Sequence, residues 1–322
     1  MPDDTIPADQ LPRQQDYPFD LDQTLSAIVG VRAHIPENGF TAGALGTERA
    51  GSGVVIDTAG LVLTIGYLIM EAETIWLTTG DGRAMPGHAL AYDAESGFGL
   101  IQALGRLGLP ALELGDSTTL TTGESVILAA GGGRNHAVKA RIVGRQYFAG
   151  YWEYLIEDAI YTAPDHPNWG GAALIDNEGK LVGIGSLALQ QQVAETRSLS
   201  LNMVVPIDVL KPILDNLRSQ GQSGRPPRPW LGLYASEQEE AVIVHGLAEG
   251  GPAQRAGLRL GDRVLAVGEE PVGDLRDLWL GIWAAGTAGA TVHLQIGRGT
   301  NTLDLAVTSA DRSSFLRTPS LQ

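Results

Sequence analysis

Apolar residues along the chain fall into short runs broken by Gly, Asp and Asn. Examples are Gly53–Asp57, Leu61–Thr64, Thr74–Thr78, Gly99–Ala103, Ser125–Ala129 and Leu181–Gly185. Runs of this length and close spacing predict β-strands in a barrel or sandwich rather than β-α-β units. Helical periodicity is sparse. Leu21–Arg32 predicts a short helix running into a first strand. Pro206–Leu217 predicts a helix through its apolar positions Ile207, Val209, Leu210, Ile213, Leu214 and Leu217. Pro206 suits a helix start, and Pro212 would kink the helix or fall near a turn. The Gly- and Pro-rich segment 219–229 predicts a linker, stiff at its Pro-Pro step. Beyond it, Ala241–Val244, Arg263–Val267, Thr291–Ile296 and Thr302–Val307 predict the strands of a second unit over 230–310. Helical stretches interrupt them near Pro252–Ala256 and Asp274–Ala284. The polar ends, 1–21 and 311–322, predict a flexible acidic tail and a loose C-terminus.

Composition narrows the function classes. A chain of 322 residues with 43% hydrophobic residues has room for two or three cores, and 42 glycines suit a turn-rich, mainly β protein. A formal charge of −15, spread along the chain, argues against nucleic acid and anionic membrane as partners. With no cysteine, disulfides, thiolate nucleophiles and Cys-based metal sites are excluded. No apolar run approaches the roughly 20 residues of a transmembrane helix. The first twenty residues lack the basic start and apolar core of a secretory signal, which on its own suggests a cytoplasmic protein.

One stretch carries the sharpest signal. Asn168-Trp169-Gly170-Gly171 precedes the strand-like run Leu181–Gly185. In trypsin-like serine proteases that frame reads Gly-Asn/Asp-Ser-Gly-Gly. Gly51-Ser-Gly-Val-Val-Ile-Asp-Thr-Ala-Gly-Leu-Val-Leu-Thr64, Tyr92–Ile101 and Asn202–Ile207 lie around it in the order shown by the high-temperature-requirement (HtrA, Do-type) serine proteases. The C-terminal unit resembles a PDZ domain through Trp230-Leu-Gly-Leu233, Gly251–Leu258 and Leu260–Gly268. The resemblance spans roughly residues 22–310. It implies a mainly β, two-barrel trypsin-like (chymotrypsin) fold over 22–218, the linker 219–229, and a PDZ domain over 230–310. It also implies a periplasmic setting, and trimers built through aromatic residues before the first barrel, where Tyr17 and Phe19 stand.

The resemblance implies a triad as well, and the triad's chemistry is missing. The histidine position holds Tyr67, the aspartate position Gly97 and the serine position Trp169. An indole cannot attack a carbonyl, a phenol is a poor base at neutral pH, and glycine orients nothing. The position of one oxyanion donor holds Pro167, which has no N–H. A relocated site would have to use His166 beside Asp165, with Ser52 or Ser96 as the hydroxyl. The Asp-His-Pro sequence reads more simply as a turn. His34, His88, His136, His245 and His293 lack metal-ligand spacing, so no metal or cofactor is expected. Gly131–Arg134 lacks the rest of a phosphate loop and reads as a hairpin or loop. The run Tyr147, Phe148, Tyr151, Trp152, Tyr154 is either core or a recognition patch.

The expected function is therefore that of a pseudoprotease, a non-catalytic scaffold or chaperone-like protein of protein quality control. Its PDZ domain would take peptide or protein C-termini. The resemblance implies a carboxylate loop at Trp230, Leu231, Gly232 and Leu233, with a pocket completed by Leu275, Leu278 and Trp279. Two alternatives stay open: a serine endopeptidase using non-standard residues, and a structural subunit whose PDZ groove is filled by its own chain.

Overall fold

A computed structural model describes residues 5–194, 197–239 and 241–317. The chain divides into two compact units, Met1–Gln146 with Asp158–Gly224 and Arg317–Gln322, and Tyr147–Glu157 with Arg225–Leu316.

The first unit holds two closed six-stranded antiparallel barrels. Helix α1 (Leu21–Ser26) is capped by the Asp20 side chain, which accepts from the Gln23 N–H. It leads straight into β1 (Ile28–His34). Strands β2 (Glu48–Val55), β3 (Leu61–Ile65), β4 (Thr74–Thr78), β5 (Ala84–Tyr92) and β6 (Phe98–Ala103) close the first barrel in the order β1-β2-β3-β6-β5-β4. A short helix, α2 (Ala42–Leu45), precedes β2. The second barrel runs β10-β11-β12-β9-β8-β7. Its strands are β7 (Ser125–Ala129), β8 (Ala137–Ala149), β9 (Leu155–Ala163), β10 (Ala173–Ile175), β11 (Leu181–Ala194) and β12 (Arg197–Pro206). Leu128, Val138, Ile160, Leu174 and Val204 meet in its core, where period-two alternation turns one side of each strand inward. The two-barrel architecture is the one the resemblance implied.

Three expectations from the sequence need correction. The helix over Pro206–Leu217 is broken. Pro206 ends β12, a 3-10 turn covers Ile207–Val209, and α3 (Leu214–Gln220) starts only after Pro212. A proline in the interior removes a backbone donor and clashes with the preceding turn, so one helix becomes two pieces. The predicted linker therefore loses Ser219 and Gln220 to α3. The N-terminal segment is not free either. Ile6 joins the core of the second barrel and the Lys139 N–H donates to the Gln10 carbonyl at 2.8 Å. Tyr17 is buried and packs on Phe19, whose ring lies against Gly179. The two aromatics singled out for self-association pack on each other.

The C-terminal stretch is also folded through residue 317. Arg312–Phe315 forms a 3-10 turn with Phe315 packed on Trp230. The Arg317 N–H donates to Glu71 at 2.9 Å, beside Phe40 and Thr41, which donate to the same carboxylate. Residues 1–4 and 318–322 of the predicted tails lie outside the described residues.

The second unit is built on the sheet β13-β14-β15-β17-β18, with β16 paired to β15. Its strands are β13 (Leu233–Gln238), β14 (Ala241–Leu247), β15 (Arg263–Val267), β16 (Glu270–Pro271), β17 (Thr291–Arg298) and β18 (Asn301–Thr308). Helix α4 (Pro252–Arg255) begins with proline at N1, where no N–H is needed. Helix α5 (Leu275–Ala284) is capped by Asp274, which accepts from Asp277, and buries Leu275, Leu278, Trp279 and Ile282. These side chains pack with Leu231, Leu233, Val244 and Leu294 in one core. Among the described residues, no helix is long and apolar enough to cross a membrane.

Candidate functional site

Two places concentrate the residues picked out from the sequence. The first lies where the barrels of the first unit meet. At the end of β3 a 3-10 turn, Gly66–Leu68, presents Tyr67. The Gly66 N–H donates to the Gly97 carbonyl at 2.6 Å, which draws the Tyr92–Gly97 loop onto the turn. A Cβ on Gly66 would stand 2.1 Å from the Tyr92 ring, so only glycine fits. The Tyr67 hydroxyl crosses to the second barrel and donates to the Ser186 carbonyl at 2.9 Å. Burial pushes the phenol well above its ordinary range, against the pull of a hydrogen bond from the Trp169 indole. A group held in that way neither accepts a proton at neutral pH nor ionises to a nucleophile.

The frame around Trp169 keeps the backbone that the sequence motif demands. Gly170 accepts from the Ser52 N–H at 2.8 Å, and Gly171 donates to the Gly185 carbonyl at 2.9 Å. Gly171 has φ +76°, and a Cβ there would come within 1.9 Å of the Ser52 carbonyl oxygen. Gly185 also faces the Trp169 carbonyl closely, at 2.3 Å from an added Cβ. The Trp169 ring is half-buried beside these glycines. Tyr67, Gly97 and Trp169 thus lie close together where the two barrels meet, and Pro167 stands two residues before Trp169 in a turn.

The substitute catalytic residues are otherwise engaged. His166 is fully buried. Its Nδ1 accepts from the Asn168 N–H at 2.9 Å, so Nε2 carries the proton and donates to the His136 carbonyl at 3.0 Å. Burial also lowers its pKa, which holds the ring neutral. Asn202, which the sequence offered only as the start of the Asn202–Ile207 motif, accepts from the His166 N–H at 2.6 Å. Ser96 is buried inside its own loop, where its N–H donates to Asp93 at 2.8 Å and its Oγ accepts from the Phe98 N–H at 3.3 Å. Ser52 is buried and its Oγ accepts from the Gly131 N–H at 3.1 Å. Gly131–Arg134 is a loop, and Arg134 pairs with Asp22.

The second place is the Trp230–Leu233 loop of the C-terminal unit. Its backbone N–H groups converge on one anion, the Glu153 side chain. Leu231 donates to the two carboxylate oxygens at 3.0 and 3.1 Å, Gly232 at 2.7 Å and Leu233 at 3.3 Å. Gly232 has φ +73° and lies against Trp230 and Ala248, which leaves no room for a side chain. Three successive N–H groups pointing into one concavity make an anion nest.

The residues before Glu153 belong to the same arrangement. Ala235 of β13 donates to the Tyr151 carbonyl at 2.8 Å, and Trp152 forms an antiparallel bridge with Tyr234. From α5, the fully buried Trp279 donates through its indole N–H to the Gly150 carbonyl at 3.0 Å. Leu275 and Leu278 are buried on the same helix face. Of the aromatic run predicted as core or recognition patch, Tyr154 is buried as core. The run is the tip of the β8–β9 hairpin laid along β13 and α5. Glu153 was missed from the sequence. Its only signal was a lone acid inside that run, between Trp152 and Tyr154.

Burial pushes the Glu153 carboxyl up to about 7, against the three backbone N–H groups and Arg312, which pull the other way. The residue as a whole is half-buried while its carboxylate is enclosed.

Comparison with known proteins agrees with both units. The family model for trypsin-like peptidase domains matches residues 51–184, and that for PDZ domains residues 229–308. A probable periplasmic serine endoprotease, DegP-like, of Pseudomonas savastanoi pv. phaseolicola is 27% identical over 292 residues, covering 84% of this chain and 58% of the relative. A protein of the same description in Pseudomonas putida (strain W619) is 29% identical over 283 residues, covering 81% and 56%. The chain spans a little over half the length of these relatives. Among solved structures, the HtrA-type protease AlgW with decapeptide aligns with a TM-score of 0.53 at 19% identity, over 94% of this chain and 100% of that one. A serine endoprotease from Yersinia pestis aligns at 0.53 and 21% identity, over 91% and 98%.

Proposed function

We propose that this member of the high-temperature-requirement family, with its trypsin-like peptidase domain followed by a PDZ domain, is a non-catalytic protein that binds peptide or protein C-termini through the PDZ domain. The observation that carries the first half of this reading is the Tyr67–Ser186 hydrogen bond across the cleft, made by a phenol that burial keeps protonated. Acyl transfer needs a nucleophile, a base beside it and donors for the oxyanion. Around this cleft stand an indole, a buried phenol, a glycine and a proline. The nest of N–H groups at Leu231, Gly232 and Leu233 supports the second half, because peptide termini are read in such a loop while the peptide adds a strand to the sheet edge.

Two measurements test the reading. A fluorophosphonate that labels activated serines should leave the purified chain unmodified, and unfolded casein should remain intact beside it. Cleavage abolished by His166→Ala or Ser96→Ala would restore the endopeptidase alternative. The curated relatives are described as periplasmic, and we carry that compartment to this chain. Recovery of the tagged protein only in the cytoplasmic fraction overturns that part.

A further inference from the structure

The Glu153 segment shares two features with a bound peptide, strand-like pairing with β13 and a carboxyl group in the nest. Its direction is antiparallel to β13, with Tyr151 against Ala235, Trp152 against Tyr234, and Glu153 at the loop that begins the strand. That is the course of an added strand whose last residue meets the nest. The side-chain carboxylate stands in for a terminal carboxylate, held by the same three N–H groups that would hold one.

The rest of the hairpin tip fastens the segment from both sides. Arg276 of α5 pairs with Glu157 at 3.1 Å, and Tyr147 meets Asp274 at the start of α5 at 3.3 Å. The Trp279 indole holds Gly150, and the Gly150 N–H turns back to the Tyr154 carbonyl at 2.9 Å. Tyr151 itself stays exposed, flanked by Tyr234 and His245.

We infer that Tyr151–Glu153 is an internal ligand of the PDZ groove, a strand-and-carboxylate mimic that holds the groove closed. A peptide bearing a free terminal carboxylate enters by displacing it. The inference rests on the reading of this unit as a peptide-binding domain and adds a regulatory step to it. Displacement frees the tip of the β8–β9 hairpin, so occupancy of the groove changes the ordering of a segment that continues directly into two strands of the second barrel. The chemistry selects the competitor. It needs a carboxyl end to satisfy the nest and an extended backbone to replace the bond to Ala235, and an amidated end supplies only the second.

The test uses the full chain, its Glu153→Ala variant, and a fluorescein-labelled peptide copying Tyr147–Trp152 with a free C-terminus. The amidated form of the same peptide serves as control. Amide exchange at Leu231, Gly232 and Leu233 should accelerate at least tenfold in Glu153→Ala. The variant should bind the free-acid peptide at least tenfold more tightly than the parent chain, and the amide should gain nothing. Equal binding by parent and variant overturns the closure while leaving the peptide-binding reading intact. Accelerated exchange with no peptide bound by either form overturns the peptide-binding reading itself, and the inference with it. If Glu153→Ala does not fold, Glu153→Asp, which shortens the reach by one methylene, is measured the same way. It should show the same order of affinities, and equality with the parent overturns the closure again.

Discussion

At the scale of single residues, the backbone where the two barrels meet is tightly fixed. Gly171 is fixed by φ +76° and by the Ser52 carbonyl, which an added Cβ would meet at 1.9 Å. Gly171→Ala should therefore destabilise the first unit by about 2 kcal/mol or more, read as a fall in thermal midpoint. Tyr67→Phe removes the donor to the Ser186 carbonyl and should cost about 1 kcal/mol, as for a single buried hydrogen bond. An unchanged midpoint for Tyr67→Phe would mean the phenol does not tie the barrels. Gly97 sits at φ +78°, so Gly97→Asp would place an L side chain in the left-handed region. The glycines of the frame were legible in the sequence because only one residue type tolerates such contacts. Asn202 and Ser186 were not, since each acts through a partner distant along the chain.

At the scale of elements, strands read well and their partners poorly. The apolar runs marked the barrel strands, whereas the helix expected over Pro206–Leu217 came apart at Pro212. The β8–β9 hairpin gave the least away, because a segment that leaves its own barrel to pair with β13 has no local pattern to announce it. Its seat should respond to pH. In the docked state Glu153 titrates near 7, above its ordinary 4.5, so docking takes up a proton. Groove closure is therefore strongest below about pH 4.5 and weakens as pH rises to about 7. The charged or titratable groups facing the segment are Arg312 from the C-terminal 3-10 turn, Tyr234 of β13 and His245 of β14, with Tyr151 on the segment itself. Affinity for the free-acid peptide should climb between pH 5 and pH 7, by at most about tenfold per unit, and level off above. Glu153→Gln should flatten that slope. A slope that persists in the variant would overturn the assignment to Glu153.

For the whole molecule, the order of motifs was enough to find both units. What the order could not convey was that residues 147–157 fold with the C-terminal unit although they lie far upstream of it in sequence. Restoring Tyr67→His, Gly97→Asp and Trp169→Ser together should leave casein uncut, because Pro167 still offers no N–H to an oxyanion. Robust cleavage by that triple variant would show that one donor suffices and that the loss is confined to the triad.

The covalent connection of Glu153 to the groove it fills has a quantitative consequence. A tethered occupant competes at an effective concentration of the order of millimolar, and it never dilutes away. If the closed form outweighs the open one by about a hundredfold, every outside peptide binds about a hundredfold more weakly than the bare groove would allow. Sparse, stray chain ends then pass unnoticed. Ends that arrive crowded together, as on aggregates or assemblies, engage several copies of the protein at once and recover by avidity what each groove alone withholds.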